Sequence, residues 1–160
     1  MASVGTGLAY QHGALPFVIG RRREIRILLV TTRGRRDWII PKGWPIRGLT
    51  ASATAAREAF EEAGVIGSIV GDKPVGSYRY EKRWTARKVI RCEVSVFLLA
   101  VERQLRQWPE KSERNTRWFA PEDAAKVVAT DGLADVLRDV VSLMPVDFGR
   151  SGPHQPRADD

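Results

Sequence analysis

The 160-residue chain has little of several features that mark particular classes of protein. It contains one cysteine, Cys92, which rules out an internal disulfide and fits a reducing compartment. No stretch approaches the roughly 18 consecutive apolar residues of a transmembrane helix. The first 20 residues lack the basic start and apolar run of a secretory signal. We therefore expect a cytoplasmic protein that does not bind a membrane.

Acidic residues are also in the minority, since 19 of them face 26 basic residues and leave a net charge of +7. We expect a flexible N-terminus at residues 1–12, a single domain at 13–144 and a disordered tail at 145–160, where Pro, Gly and charged residues are frequent. A basic body suits an anionic substrate. A nucleic-acid partner is disfavoured, because the basic residues are scattered and no nucleic-acid-binding motif is present.

The segment from Gly43 to Val65 carries the most informative pattern, and within it lies the run REAFEEAG. At about 100° per helical residue, Glu58, Glu61 and Glu62 fall within roughly a 100° arc. The helix is expected to begin after a Thr50 or Ser52 cap, to run to Ala63 and to end at Gly64. The apolar residues that we expect to pack into a core lie on the opposite face: Ala53, Ala56, Phe60 and Ala63.

Three carboxylates on one face need an explanation, because like charges three or four residues apart destabilise a helix. They also lie near the negative end of the helix dipole. A bound Mg²⁺ or Mn²⁺ would reverse both penalties, since hard cations prefer carboxylate oxygens. The alternative is a solvated acidic face, partly neutralised by Arg57 at four residues from Glu61.

The wider spacing resembles the signature of the Nudix hydrolases, G-x5-E-x7-R-E-U-x-E-E-x-G-U, in which U is aliphatic. The positions that match are Gly43, Arg57, Glu58, Glu61, Glu62 and Gly64. The first glutamate of the signature is Leu49 here. The resemblance implies that the three helix glutamates and the carbonyl of Gly43 bind Mg²⁺ or Mn²⁺, and that Arg57 orients one glutamate. Leu49 then affects the number of metal ions or the rate more than the type of reaction.

Strands and helices are mixed along the chain, which alone indicates an α+β or mixed α/β fold. The resemblance implies an α/β/α sandwich with a mixed sheet and with the signature as loop–helix–loop. The expected strands are Ala14–Ile19, Glu24–Thr32, Trp38–Ile40, Ile69–Tyr80, Arg87–Val101 and Thr116–Phe119. Further helices are expected from Pro121 to about Val128 and from Leu133 to Leu143.

Segments outside the signature resemble one branch of the family, the diphosphoinositol polyphosphate phosphohydrolases. These segments are WIIPKGWP, a Trp-Pro-Glu loop and TRWFAPEDAAKVV. Lys42 and Trp44 depart from that branch, whose eukaryotic members carry glycines there. Since those members also cleave diadenosine polyphosphates, the resemblance implies a small-molecule polyphosphate substrate of either type.

A highly phosphorylated substrate needs cationic partners, and arginine binds phosphate in a bidentate manner. We expect Arg33, Lys42, Arg47 and Arg114 to contact the substrate, although each could instead be a solvated surface charge. Trp44 follows Gly43 directly and is expected to touch the substrate or close the pocket.

The expected reaction is hydrolysis of a phosphoanhydride bond by metal-activated water. By the motif, Glu62 is the general base, with Glu58 and Glu61 as principal metal ligands. Bases outside the signature are the alternative, and the candidates are Glu93, Glu110 and Glu113. Two other functions stay open: hydrolysis of another nucleoside diphosphate derivative, and a non-catalytic module that binds a nucleotide or polyphosphate.

Overall fold

The computed structural model describes residues 3–143, which form one eight-stranded mixed sheet and three helices. The strands are β1 (Ser3–Ile19), β2 (Ile25–Thr31), β3 (Trp38–Ile39), β4 (Lys42–Gly43), β5 (Val65–Ile69), β6 (Gly76–Thr85), β7 (Lys88–Gln104) and β8 (Thr116–Phe119); the helices are α1 (Ala51–Ala63), α2 (Pro121–Val127) and α3 (Asp131–Leu143). The central path is β3-β2-β1-β7-β5, while β4 pairs with β1, β6 with β7 and β8 with β2. Within residues 3–143, no helix is both long and apolar enough to cross a membrane.

The two longest strands, β1 and β7, pair in parallel at the centre of the sheet. Their alternating residues point to opposite faces, as the pleat of a strand requires. Ala14 and Val18 join one buried cluster, whereas Leu15 and Phe17 join another. Cys92 lies in β7 with a fully buried side chain, as a small apolar residue of the sheet.

Helices cover both of these faces. Ala55, Ala59 and Ala63 of α1 belong to the cluster of Ala14 and Val18. Leu133 and Leu137 of α3 belong to the cluster of Leu15 and Phe17. The sheet therefore lies between α1 on one side and α2 with α3 on the other. This arrangement confirms the expected α/β/α sandwich with a mixed sheet.

The packing face of α1 differs from the expected one. Ala55, Ala59 and Ala63 are fully buried, whereas Ala53 and Phe60 are only partly buried. Because alanines occur on most sides of this helix, the pattern could not tell one apolar stripe from another. The real stripe lies beside the acidic one instead of opposite to it.

The first strand also differs from expectation, because β1 begins at Ser3 and not at Ala14. We expected residues 1–12 to be loosely ordered, and that expectation is wrong for residues 3–12. The early part of β1 pairs in parallel with β7, starting at Lys88. Such pairing joins distant parts of the chain and leaves no local signal. The expected disordered tail, 145–160, lies outside the described residues.

The segment expected as one strand at Ile69–Tyr80 is divided into β5 and β6. Gly71 between them has φ 76°, a conformation that glycine adopts readily and that interrupts a strand. Both strands pair with β7 in antiparallel fashion, β5 near the end of β7 and β6 nearer its start. The ladder of β6 continues to Thr85, five residues beyond the expected end of this strand at Tyr80.

Candidate active site

The loop that precedes α1 is anchored on the central strand. β4 pairs with β1 so that Gly43 lies opposite His12. Thr50 caps the helix, since its Oγ1 accepts a hydrogen bond from the amide of Ala53 at 3.1 Å. Gly64 ends the helix with φ 68°, in the left-handed conformation. Both ends of α1 are therefore as the sequence predicts.

Gly43 lies in direct contact with the acidic face of α1. A Cβ atom at position 43 would stand 2.4 Å from a carboxylate oxygen of Glu58, which is far inside contact distance. Any side chain at position 43 would force the carboxylate of Glu58 to shift, so glycine lets the loop backbone approach the carboxylate where it stands. The role of the Gly43 carbonyl as a metal ligand stays a prediction.

Glu62 is buried, with 4% of its surface exposed. The amide of Lys42 donates a hydrogen bond to Oε2 at 3.3 Å, and Nη2 of Arg114 donates to Oε1 at 3.4 Å. Burial raises the pKa of Glu62 to about 8, although Arg114 opposes the rise. The negative charge of the neighbouring Glu58 raises the pKa of Glu62 further. The pKa of Glu58 is itself raised, by burial and by the charge of Glu61. Burial therefore disfavours the charged form of Glu62, and a further cation beside it would stabilise that form.

Arg114 connects Glu62 to the rest of the fold. Its Nε donates to Glu110 at 3.1 Å and its Nη1 donates to the carbonyl of Thr31 at 3.0 Å. Arg33, whose side chain is more than half exposed, donates to the same carboxylate of Glu110. Burial would raise the pKa of Glu110, but the two arginines outweigh it and hold that pKa below its usual value.

The remaining helix carboxylate, Glu61, points to Arg57. Nε of Arg57 lies 2.9 Å from Oε1 of Glu61, so the expected pair four residues apart is present. Within residues 3–143, no three His, Cys, Asp or Glu side chains already converge as a metal site. The oxygens of Glu58 and Glu62 beside the Gly43 backbone nevertheless have the hard chemistry that Mg²⁺ or Mn²⁺ requires. Glu61 would join them on leaving Arg57.

The side chain of Lys42 is held by groups that the sequence did not indicate. Its Nζ donates to the Tyr80 hydroxyl at 2.9 Å, and this hydroxyl donates in turn to Oε1 of the buried Gln11. Burial lowers the pKa of Lys42 to about 8, against the attraction of Glu62. The lysine therefore stands beside the carboxylates in a preformed network.

The rest of the loop is more open. Trp44 is half-buried and makes an edge-to-face contact with Trp84, with ring centroids 6.0 Å apart. Arg47 and Leu49 are exposed, Leu49 to 44%. The structure thus brings Lys42 to the carboxylates, whereas it places Trp44 against Trp84 and Arg47 on the surface of the same loop.

A loop after β7 closes the C-terminal end of α1, and its role was not evident from the sequence. A Cβ at Gly64 would lie 2.3 Å from the ring of Trp108. The indole nitrogen donates to the carbonyl of Glu62 at 3.2 Å, and the amide of Glu110 donates to the carbonyl of Glu61 at 2.9 Å. These bonds satisfy carbonyls that have no partner within the helix. The Trp-Pro-Glu sequence was the one feature of the chain that could have indicated a role for this loop.

The alternative bases occupy different places. Glu110 lies in the network of Arg33 and Arg114 beside Glu62. Glu113 stands 3.8 Å from Arg33, and Glu93 pairs with Arg79 of the neighbouring strand at 3.1 Å. Of the three, Glu110 is the one linked to Glu62 through a shared partner.

Comparisons with known proteins agree with this geometry. The family model of the NUDIX domain matches residues 10–140. "Nudix hydrolase 12, mitochondrial" of Arabidopsis thaliana is 28% identical over 124 residues, which are 76% of this chain and 61% of that protein. "Diphosphoinositol polyphosphate phosphohydrolase 3-beta" of Bos taurus is 32% identical over 109 residues, 66% of this chain and 62% of that protein. The chain therefore spans less than two thirds of these relatives.

Solved structures share the fold. A C. elegans Ap4A hydrolase in a binary complex superposes with a TM-score of 0.62 at 20% identity, covering 84% of this chain and 96% of that one. The likeness predicted from the signature, with the diphosphoinositol polyphosphate phosphohydrolases among the relatives, is thus confirmed. On the match to 10–140, the signature on α1 and the shared fold, the chain belongs to the Nudix hydrolase superfamily.

Proposed function

We propose that this chain hydrolyses a phosphoanhydride bond of a highly phosphorylated small molecule, of the diphosphoinositol polyphosphate or diadenosine polyphosphate type, with Mg²⁺ or Mn²⁺ as cofactor. The observation that carries the proposal is the buried carboxyl group of Glu62, placed beside Glu58, whose negative charge helps to raise the pKa of Glu62. Two adjacent carboxyl groups out of water are costly unless a cation accompanies them.

The acidic side chains supply the ligands and the base. Glu58, Glu61 and Glu62 would hold the cation together with the Gly43 carbonyl. When bound, the divalent ion would neutralise charge on the phosphate oxygens and make water easier to deprotonate. Glu62 accepts the proton of the attacking water, the water oxygen bonds to phosphorus, and the bridging P–O bond breaks.

The cationic side chains serve two purposes in this scheme. Arg114 holds Glu62 in place through its hydrogen bond to Oε1. Lys42, with its ammonium fixed by Tyr80, and Arg47 on the same loop contact the substrate phosphates. Arg33 lies at the outer side of Glu110, where its exposed guanidinium also reaches an incoming anion.

The names of similar proteins support the choice of substrate. One relative is named as a diphosphoinositol polyphosphate phosphohydrolase, and one structural neighbour is an Ap4A hydrolase. Another neighbour is the NUDIX domain of Shewanella oneidensis NrtR, in complex with ADP ribose, at a TM-score of 0.55 and 18% identity. That neighbour favours the second candidate, a different nucleoside diphosphate derivative.

The test is a hydrolysis panel on the purified chain with Mg²⁺ and with Mn²⁺. The panel contains diadenosine polyphosphates, diphosphoinositol polyphosphates, nucleoside triphosphates, nucleotide sugars and capped RNA. Glu62→Gln is the inactive comparison, and Glu81→Gln, at an exposed position of β6, is the matched control.

Cleavage of either of the first two classes by the parent and by Glu81→Gln, but not by Glu62→Gln, supports the proposal. Cleavage of another class alone keeps the chemistry and refutes the substrate. Tight binding of one compound without any cleavage favours a non-catalytic binding module.

A further inference from the structure

Trp44, Lys82 and Trp84 form a small surface that the proposed reaction does not yet use, here called the tryptophan shelf. The two indole rings meet edge to face with centroids 6.0 Å apart. Nζ of Lys82 lies 5.9 Å from the centre of the Trp44 ring, within the range of a cation–π contact. The shelf thus combines aromatic surface with positive charge.

The tryptophan shelf adjoins the candidate active site. Trp44 follows Gly43, whose backbone touches the carboxylate of Glu58. Lys42, on the other side of Gly43, reaches Tyr80, two residues before Lys82 on β6. A molecule whose phosphate lies at the carboxylates can therefore extend along this loop towards the shelf.

Trp84 keeps much of its ring open to solvent. It is 53% exposed, although tryptophan is among the residues that bury most surface when they pack. A single exposed aromatic residue would need no explanation, but this one contacts Trp44, and the ring of Trp44 has the ammonium of Lys82 beside it. An exposed indole next to a cation suits a ligand that has both a planar ring and a phosphate chain.

We propose that the tryptophan shelf binds the nucleobase of the substrate, and that the substrate is consequently a nucleoside polyphosphate and not an inositol polyphosphate. A base stacks on the open indole face, while Lys82 attracts the phosphates that follow it. An inositol ring offers no aromatic face for stacking and therefore gains less from the two indoles than a base does. This inference rests on the proposed function, whose substrate class it narrows.

The test compares two probes that resist hydrolysis and differ in the nucleoside. Adenosine 5′-(α,β-methylene)diphosphate carries the base, whereas methylenediphosphonate carries the same phosphonate pair without it. Inositol hexakisphosphate is the third probe. Isothermal titration calorimetry in Mg²⁺ gives the affinity of the full chain, Trp84→Ala, Trp84→Phe and Tyr10→Ala for each probe. Tyr10, which is 54% exposed on β1, provides the matched loss of an exposed aromatic ring.

The parent should bind the adenosine probe more tightly than methylenediphosphonate. Trp84→Ala should lower the affinity for the adenosine probe by about tenfold, as expected for loss of one stacking partner. It should leave the affinity for methylenediphosphonate unchanged. Trp84→Phe should retain most of the affinity, and Tyr10→Ala all of it.

Three results would overturn the inference. Trp84→Ala could lower the affinity for both methylene probes equally, or change neither affinity. The parent could also bind inositol hexakisphosphate more tightly than the adenosine probe, with Trp84→Ala removing that advantage. Binding does not require turnover, so the two proposals fail separately. Base-dependent binding without cleavage in the hydrolysis panel supports the shelf and refutes the reaction.

Discussion

Arg114 and Glu62 are 52 residues apart in the chain, yet Nη2 of the arginine lies 3.4 Å from Oε1 of the glutamate. Both side chains are close to nine-tenths buried or more. The guanidinium also binds the carbonyl of Thr31 and the carboxylate of Glu110. One residue outside the signature therefore ties the central carboxylate of the signature helix to the sheet.

Removal of this arginine should damage both stability and activity. Arg114→Ala leaves the buried carboxyl group of Glu62 without its paired guanidinium, while Glu110 keeps Arg33, and the loss should lower the free energy of unfolding by about 3 kcal/mol. Arg114→Lys keeps the charge but not the fork of donors, so it should recover only part of the loss. Urea unfolding and the hydrolysis rate measure the two effects. Equal stability of Arg114→Ala and Arg57→Ala, which loses an exposed pair, would contradict this account.

The close contact between Gly43 and Glu58 predicts a site-specific effect of one methyl group. Gly43→Ala places a Cβ against the carboxylate and should displace it, which should weaken Mn²⁺ binding on the order of 10- to 100-fold. Gly34→Ala is the control, because a Cβ there has no atom within 4 Å. Titration of Mn²⁺ by electron paramagnetic resonance compares the two variants. Similar affinity in both would show that Gly43 does not form the cation site.

Much of this site follows from local patterns, and those parts could be predicted. Thr50 and Gly64 mark the ends of α1 through their own conformations, and three glutamates at helical spacing share one face by geometry alone. By contrast, the packing stripe of Ala55 and Ala59 could not be identified, because this helix has alanines on most sides.

Other parts depend on contacts between distant segments. Tyr80 and Gln11 reach Lys42 because β6, β1 and β4 meet in one sheet, and no periodicity in the chain encodes that meeting. The hydrogen bond from Arg114 to Glu62 likewise joins segments that are distant in the chain, and so does the packing of Trp108 against Gly64. The parallel pairing that orders the start of β1 is equally non-local.

The buried Glu62 predicts a pH dependence of stability in metal-free protein. Its pKa is about 8 when folded, against an ordinary value of 4.5, so the folded state keeps a proton that the unfolded chain loses. The contribution of Glu62 to stability therefore falls as pH rises from about 5 to about 8. Glu62→Gln lacks this loss, so its Tm in EDTA should exceed that of the parent by an amount that grows with pH.

Thermal unfolding of both proteins between about pH 5 and pH 8 checks this expectation. The comparison stops there because Lys42, whose pKa burial lowers to about 8, changes its own charge at higher pH. Addition of Mn²⁺ should raise the Tm of the parent more than that of the variant. A Tm difference between the two proteins that stays constant with pH would contradict the raised pKa of buried Glu62.

Leu49 stands where the signature has a glutamate, and its exposure makes the position easy to test. Leu49→Glu should change the free energy of unfolding by less than about 0.5 kcal/mol, because the side chain is 44% exposed. It should tighten Mn²⁺ binding without changing the reaction products. Tyr10→Glu adds the same charge at another exposed apolar residue and should leave Mn²⁺ affinity as it is. Tighter binding in both variants would point to net charge as the cause.

The central claim is that the signature carboxylates of α1 drive phosphoanhydride hydrolysis. The rate of diadenosine tetraphosphate cleavage in Mn²⁺ tests it most directly. The account predicts measurable turnover by the parent and by Glu81→Gln, and a loss on the order of 10²-fold or more in Glu62→Gln. Turnover by Glu62→Gln at the parent's rate would contradict it.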